Sequence, residues 1–262
     1  MKKCMILGLA LLAGSVAQAA TVDFHAFNIR NHNPGGTIVP PWDTDMSIIE
    51  NAAGDGFSAM TPRSGQKVGY GTNAFDGCEL NDLVSVDWTK VSGAANVSYL
   101  NIWVTDGTNY AVISSENDYR GTDFATRDQW KIFEYGPTSG FDWLFDAGVG
   151  SRSGSQYLQL NGSNATLADI SDDVKIYAGP VGPTAGVGTG APRGGYGFNL
   201  IYGDTASNFV GAYHLENLTV TLNKGAGPEV FAASAPVPEP ATISLLLMGL
   251  GGLAARARRK KA

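Results

Sequence analysis

Residues 217–222 read Asn-Leu-Thr-Val-Thr-Leu, apolar at every second position. Side chains alternate across the two faces of a strand, so a period of two means one face buried and one wet; a helix would need a period of 3.6. The same rhythm runs through Val84, Val86 and Trp88 against Ser85, Asp87 and Thr89. Residues 97–104 are instead apolar on both faces, as in a central strand, and Asp106-Gly107 supplies a turn into a further run, Tyr110–Ser114. Additional strands are expected at 22–29, 130–135, 157–160, 174–177 and 197–202, and only 165–170 suggests a short helix. Glycine makes up 34 of 262 residues, about twice its usual share of roughly 7%, which favours strands joined by turns. The fold class that follows is all-β, a jelly-roll-type β-sandwich, with a long Gly/Pro-rich loop over 179–195.

Both ends of the chain stand apart from this pattern. Residues 1–19 begin with Lys2 and Lys3, continue through an apolar run from Met5 to Leu12, and end in Ala17-Gln18-Ala19. A positive start, an apolar centre and a small-x-small exit in that order mark a secretory signal peptide, read by the Sec machinery and cut by signal peptidase after Ala19. Residues 241–255 are apolar apart from Thr242 and Ser244; as a helix they span about 22 Å, somewhat short of a hydrocarbon core of about 30 Å. Arg256, Arg258, Arg259, Lys260 and Lys261 follow at once. Such a cluster is costly beside a protein core but natural at a cytoplasmic membrane face, so a single transmembrane helix with its C-terminus inside is expected. Residues 224–236, small and proline-containing, read as a linker between a domain over 20–223 and this tail.

Immediately before the apolar run stand Val237, Pro238, Glu239 and Pro240. Motif, span and basic end together, over 237–262, resemble the tripartite tail of the PEP-CTERM sorting family. That resemblance implies an exported protein held briefly in the inner membrane, then cut at or near Pro-Glu-Pro by an exosortase, a membrane-embedded cysteine transpeptidase. It also implies a final location at the cell surface or in the extracellular matrix of an exopolysaccharide-making cell. The two prolines remove backbone donors and hold Glu239 extended, which suits a substrate strand in a cleft.

Without the ends, basic residues fall from 18 to 11 and acidic residues from 24 to 23, a net charge of about −12. That balance argues against nucleic acid as a partner. Cys78 is the one cysteine outside the signal peptide, so no intrachain disulfide is expected and a small buried hydrophobe is the simplest role for it.

The usual catalytic constellations do not occur: no G-x-S-x-G elbow, no H-E-x-x-H, no Walker loop and no paired C-x-x-C. Gly186-Val187-Gly188-Thr189-Gly190 is flanked by prolines with no helix pattern after it and reads as loop. His25, His32 and His214 form no metal-ligand spacing. Among the acids, Glu116-Asn117-Asp118 and Glu134 are the natural pair to test for glycoside hydrolysis, but position 121 is Gly121 where laminarinase-like sandwiches place a third acid. A non-enzymatic protein is expected, with a carbohydrate-active enzyme or a passive coat protein as the alternatives. No cofactor is expected; Asp106-Gly107-Thr108-Asn109 and Gly203-Asp204-Thr205 are oxygen-rich enough for Ca²⁺ but also suit plain turns. The stretch 83–135, with VSVDWTKVSG and YLNIWVTDG, resembles concanavalin-like and galactose-binding-like sandwiches. Within it, Tyr99, Asn101 and Trp103 share one face of a strand, aromatic planes beside an amide, and form the candidate glycan-binding set for a polysaccharide partner. The competing reading buries both faces, as sandwich aromatics mostly are.

Overall fold

The computed structural model of the chain describes residues 19–30, 45–93, 98–116, 126–134, 140–177, 196–203, 209–223 and 227–234. In chain order the strands are β1 (Ala20–Val22), β2 (His25–Arg30), β3 (Ser47–Glu50), β4 (Phe57–Thr61), β5 (Lys67–Thr72), β6 (Leu83–Gly93), β7 (Tyr99–Thr105) and β8 (Tyr110–Ser114). They continue with β9 (Lys131–Glu134), β10 (Gly150–Arg152), β11 (Leu158–Leu160), β12 (Ser163–Asn164), β13 (Lys175–Ile176), β14 (Phe198–Tyr202), β15 (Gly211–Asn223) and β16 (Pro228–Ala233). Helical structure among the described residues is limited to 3₁₀ turns. The expected short helix is one of these, Leu167–Asp169, where Asp169 accepts from both the amide and the hydroxyl of Thr166.

Two large sheets carry the fold. One runs β1-β16-β15-β4-β3, with β6 on the remaining edge of β15; the other runs β2-β5-β14-β7-β8-β9, with β13 on β7. A small sheet, β10-β11-β12, lies outside both. Pairing is antiparallel except between β1 and β16, which run parallel. The two large sheets face each other through aromatic side chains. Phe57 of β4 lies 5.4 Å from Tyr70 of β5, and Tyr202 of β14 stacks 4.3 Å from Tyr213 of β15. Phe75, following β5, meets Phe198 of β14 at 5.3 Å and Phe231 of β16 at 5.4 Å. Each such pair adds about 0.5–1.5 kcal/mol to what simple area burial contributes. The all-β sandwich implied by the alternation is therefore present.

The longest strand, β15, exchanges partners along its length. On one edge it pairs with β4 from Gly211 to Leu215 and with β16 from Thr219 to Asn223, while β6 lines its other edge. The exchange falls at a bulge. Asn217 is left-handed at φ 57°, its amide donates to Asp55 Oδ2 at 3.3 Å, and the Leu218 amide donates to the Asp55 carbonyl at 2.9 Å. The loop before β4 thus fills the gap between the two partner strands.

Three sequence expectations change. The single strand expected over 22–29 is two strands in different sheets, with the chain crossing at Asp23-Phe24 and the buried Phe24 ring stacking on Tyr70 at 5.3 Å. The linker expected over 224–236 contains β16, so the domain continues past 223 at least to the buried Ala233. Strands β3, β4, β5, β10 and β12 were not anticipated; glycines in Lys67–Thr72 mask its alternation. The signal segment 1–18, His32, the Gly/Pro-rich stretch 178–195 and the tail 235–262 lie outside the described residues. Among the described residues no helix is long and apolar enough to cross a membrane.

Candidate functional site on the outer face of the seven-stranded sheet

Alternation assigns each residue of β7 to a face. Leu100, Ile102 and Val104 point into the sandwich and belong to its core. Tyr99, Asn101 and Trp103 take the opposite face. Register then sets their neighbours: Asn199 and Ile201 of β14 on one side, Val112 and Ser114 of β8 on the other. Lys67 of β5 and Lys131 of β9 lie further out on the same face.

The chemical centre of this face is an ion triad. Glu116, just beyond β8, faces Lys67 Nζ at 3.4 Å through Oε2 and Lys131 Nζ at 3.5 Å through Oε1. All three side chains are largely withdrawn from water, at 13%, 15% and 8% exposure for Lys67, Glu116 and Lys131. Lys67 Nζ also sits 5.4 Å from the centroid of the Tyr99 ring, where the negative π face favours an ammonium. Ammonium groups this desolvated require a carboxylate partner, and removal of that partner is far more costly than the pair is stabilising.

The glycan-binding set predicted from sequence is corrected here. Tyr99 and Trp103 are each 1% exposed, and a sugar can stack only on a ring plane that reaches solvent. The Tyr99 hydroxyl donates to the Gly203 carbonyl at 3.2 Å and its ring meets Phe209 edge-on at 6.0 Å. Asn101 is half-buried; its carbonyl accepts from Asn199 Nδ2 at 3.0 Å. The aromatic face of β7 is packing, as in its competing reading.

The other candidates resolve one by one. At the Asp106 turn, Oδ1 accepts from the amides of Thr108 and Asn109 at 2.8 and 2.6 Å, and Oδ2 from Asn109 Nδ2 at 2.9 Å. Burial raises the Asp106 carboxyl, but these hydrogen bonds outweigh it and hold the group below its ordinary range. Both oxygens are thus occupied in turning the chain. The Asp204 turn, Asn117 and Asp118 lie outside the described residues, and Glu134 is the last residue of β9. His25 lies 3.9 Å from Glu50, and His214 lies 3.3 Å from Glu216. Among the described residues no three of His, Cys, Asp and Glu come together to hold a metal ion. Cys78 is half-buried and has no disulfide.

Lys67, Lys131 and Asn199 had no sequence signal. They meet Glu116 and Asn101 only because β5, β14, β7, β8 and β9 are neighbours in the sheet, a long-range arrangement that no local spacing encodes.

Comparison with known proteins locates a second functional element at the C-terminus. Residues 236–261 match the PEP-CTERM protein-sorting motif. The match takes in Val237, Pro238, Glu239 and Pro240, the apolar run 241–255, and the basic cluster Arg256, Arg258, Arg259, Lys260 and Lys261. No curated protein and no solved structure matches the chain. The chain therefore carries an exosortase sorting signal, which marks it as a protein exported to the cell surface.

Proposed function

We propose that this chain is a non-enzymatic surface protein. It is exported through the Sec machinery, cut by signal peptidase after Ala19, and held in the inner membrane by 241–255 with its basic end in the cytoplasm. An exosortase then cleaves it near Pro238-Glu239-Pro240, and its sandwich becomes a component of the cell surface or extracellular matrix. The observation that carries this reading is the sorting motif at 236–261.

The acids of the sandwich support a structural rather than catalytic role. Glu116 is clamped between two ammoniums, Asp45 pairs with Arg63 at 2.8 Å, Glu79 pairs with Lys175 at 2.8 Å, and Asp106 and Asp55 hold a turn and a bulge. A general acid must hold a proton and present it to a substrate oxygen, whereas the oxygens of these carboxylates accept from cations and amides of the protein itself. Contact with exopolysaccharide falls to the outer face of the six-stranded sheet, where Ser85, Asp87, Thr219 and Thr221 stand on adjacent strands.

The test is cell fractionation. The Glu239→Ala/Pro240→Ala variant should accumulate uncleaved in the inner membrane; release as efficient as wild type would overturn the proposal. Co-sedimentation of the released form with the cell's own exopolysaccharide tests the matrix role, and absence of binding would leave only the coat-protein alternative.

A further inference from the structure

The sorting motif begins almost where the fold ends. The Ser234 amide still donates to the Val22 carbonyl at 3.2 Å, so the chain is tied to β1 up to that residue. Two residues, Ala235 and Pro236, separate Ser234 from Val237, and three residue steps reach at most about 11 Å even fully extended. On the far side of the motif the apolar run starts at once, at Ala241. Seven residue steps separate Ser234 from Ala241, a reach of at most about 25 Å, and within it a membrane-embedded enzyme must close around the motif beside the folded sheet. Proteolytic clefts take extended, unpaired backbone on both sides of the bond they cut. Ala232 and Ala233 are not unpaired: they are laddered between Thr21 and Val22 on one side, and Ala232 to Thr219 on the other.

The strand that stands in the way is built to lift. Of β16, only Phe231 and Ala233 turn substantial side chains into the core, while Pro228, Glu229 and Val230 are exposed. Its neighbour β15 keeps β6 on its other edge from Tyr213 to Leu222 and β4 beyond the bulge, so β15, β4, β3 and β6 stay laddered when β16 and β1 come away. β1 and β16 together form this margin of the sheet, and marginal elements with few buried contacts open locally at a fraction of the global unfolding free energy.

From this geometry we infer that exosortase cleavage proceeds from a form in which β16 has undocked from β1 and β15, so that the folded sheet edge governs the rate of its own release from the membrane. The inference rests on the tail being an exosortase substrate, as proposed above.

A reversible staple tests it. Thr21 and Ala232 are direct partners in the parallel ladder and lie on the outer face, within the geometry a disulfide tolerates. Thr21→Cys/Ala232→Cys, made in the full chain with Cys78→Ala, is followed by pulse-chase in cells. Oxidised, it should be processed at least about tenfold more slowly than the Cys78→Ala parent, as cleavage that samples an open state tracks the population of that state. Reducing agent should restore the parental rate. A second variant adds ten Gly/Ser residues between Ala235 and Pro236, giving a span of about 17 Å; with this insert, the staple should no longer matter. Processing of the oxidised variant at the parental rate, or a block that persists with the insert, overturns the inference. The two failures are separable: were the tail reading wrong, Glu239→Ala/Pro240→Ala would be released normally, whereas failure of this inference alone leaves that variant uncleaved and the stapled one cut at full speed.

Discussion

The rings of Tyr202 and Tyr213 stack across the sandwich, one from each sheet, with centroids 4.3 Å apart and planes within 14° of parallel. Both are fully buried, and Phe209 closes edge-on against Tyr202 at 5.7 Å. This contact joins the two sheets where β14 ends and β15 begins. Tyr213→Ala should lower stability by about 3–5 kcal/mol, as other buried aromatic truncations do. Tyr213→Phe keeps the ring and loses the hydroxyl's hydrogen bonds, among them the one the Ser98 amide makes to it at 3.2 Å, for about 1–2 kcal/mol. Urea titration checks both, with a shifted midpoint at unchanged slope.

Alkaline pH should unfold the domain through the same tyrosines. Burial pushes the Tyr202 hydroxyl up to about 12 and raises Tyr213 as well. Burial raises Tyr70 too, with Glu50, Asp55 and Asp23 adding to it. An unfolded tyrosine titrates near 10, so between about 10 and 12 the folded state binds more protons than the unfolded one, and stability falls as pH rises. Their contribution is complete below pH 10. Tyrosinate absorbance should appear together with loss of near-ultraviolet circular dichroism in one transition; titration of these groups with the fold intact would contradict this.

Glu116→Gln should be the most damaging surface-side substitution. It leaves Lys67 and Lys131 desolvated without the carboxylate they share, and removing one member of such a buried set costs about 3 kcal/mol or more. Lys67→Met, which leaves Glu116 paired to Lys131, should cost about 1 kcal/mol or less. Denaturant titration of the two variants side by side gives the comparison.

The bulge on β15 has a backbone requirement. Asn217 at φ 57° occupies the left-handed region, which Asn and Gly enter readily and β-branched residues do not. Asn217→Gly should be close to neutral, and Asn217→Val should destabilise by about 1–2 kcal/mol. Thermal melting distinguishes them.

The strands that alternate cleanly were legible because one face is wet and the other dry. Leu218, Val220 and Leu222 are all buried while Thr219 and Thr221 are partly open; in β6 the alternation holds from Val86 to Thr89 but breaks at Val84 and Ser85, both half-buried, where the register with β15 shifts. β16 was misread as a linker because Ala232, Ala233 and Pro228 carry little hydrophobic signal; its place in the sheet comes from backbone pairing with β15 and β1. β7 showed the limit of pattern reading at a site. Its two faces could be told apart, but whether Tyr99 and Trp103 met water depended on what lies over them. The triad of Lys67, Glu116 and Lys131 was invisible for a related reason, being assembled from segments far apart in sequence. The sorting tail, by contrast, is a linear signal, and its residues are adjacent in the chain.

The parallel pairing of Ala20 with Phe231 has a consequence for the order of events during export. Among the described residues the first strand, β1, finds its only ladder partner in the last, β16, so sequence-distant contacts of the slowest-forming kind complete the edge. Until β16 has docked, β1 is an open strand margin, the type of surface at which intermolecular pairing begins. Maturation of this sandwich is therefore timed by arrival of its C-terminal end rather than by its entry.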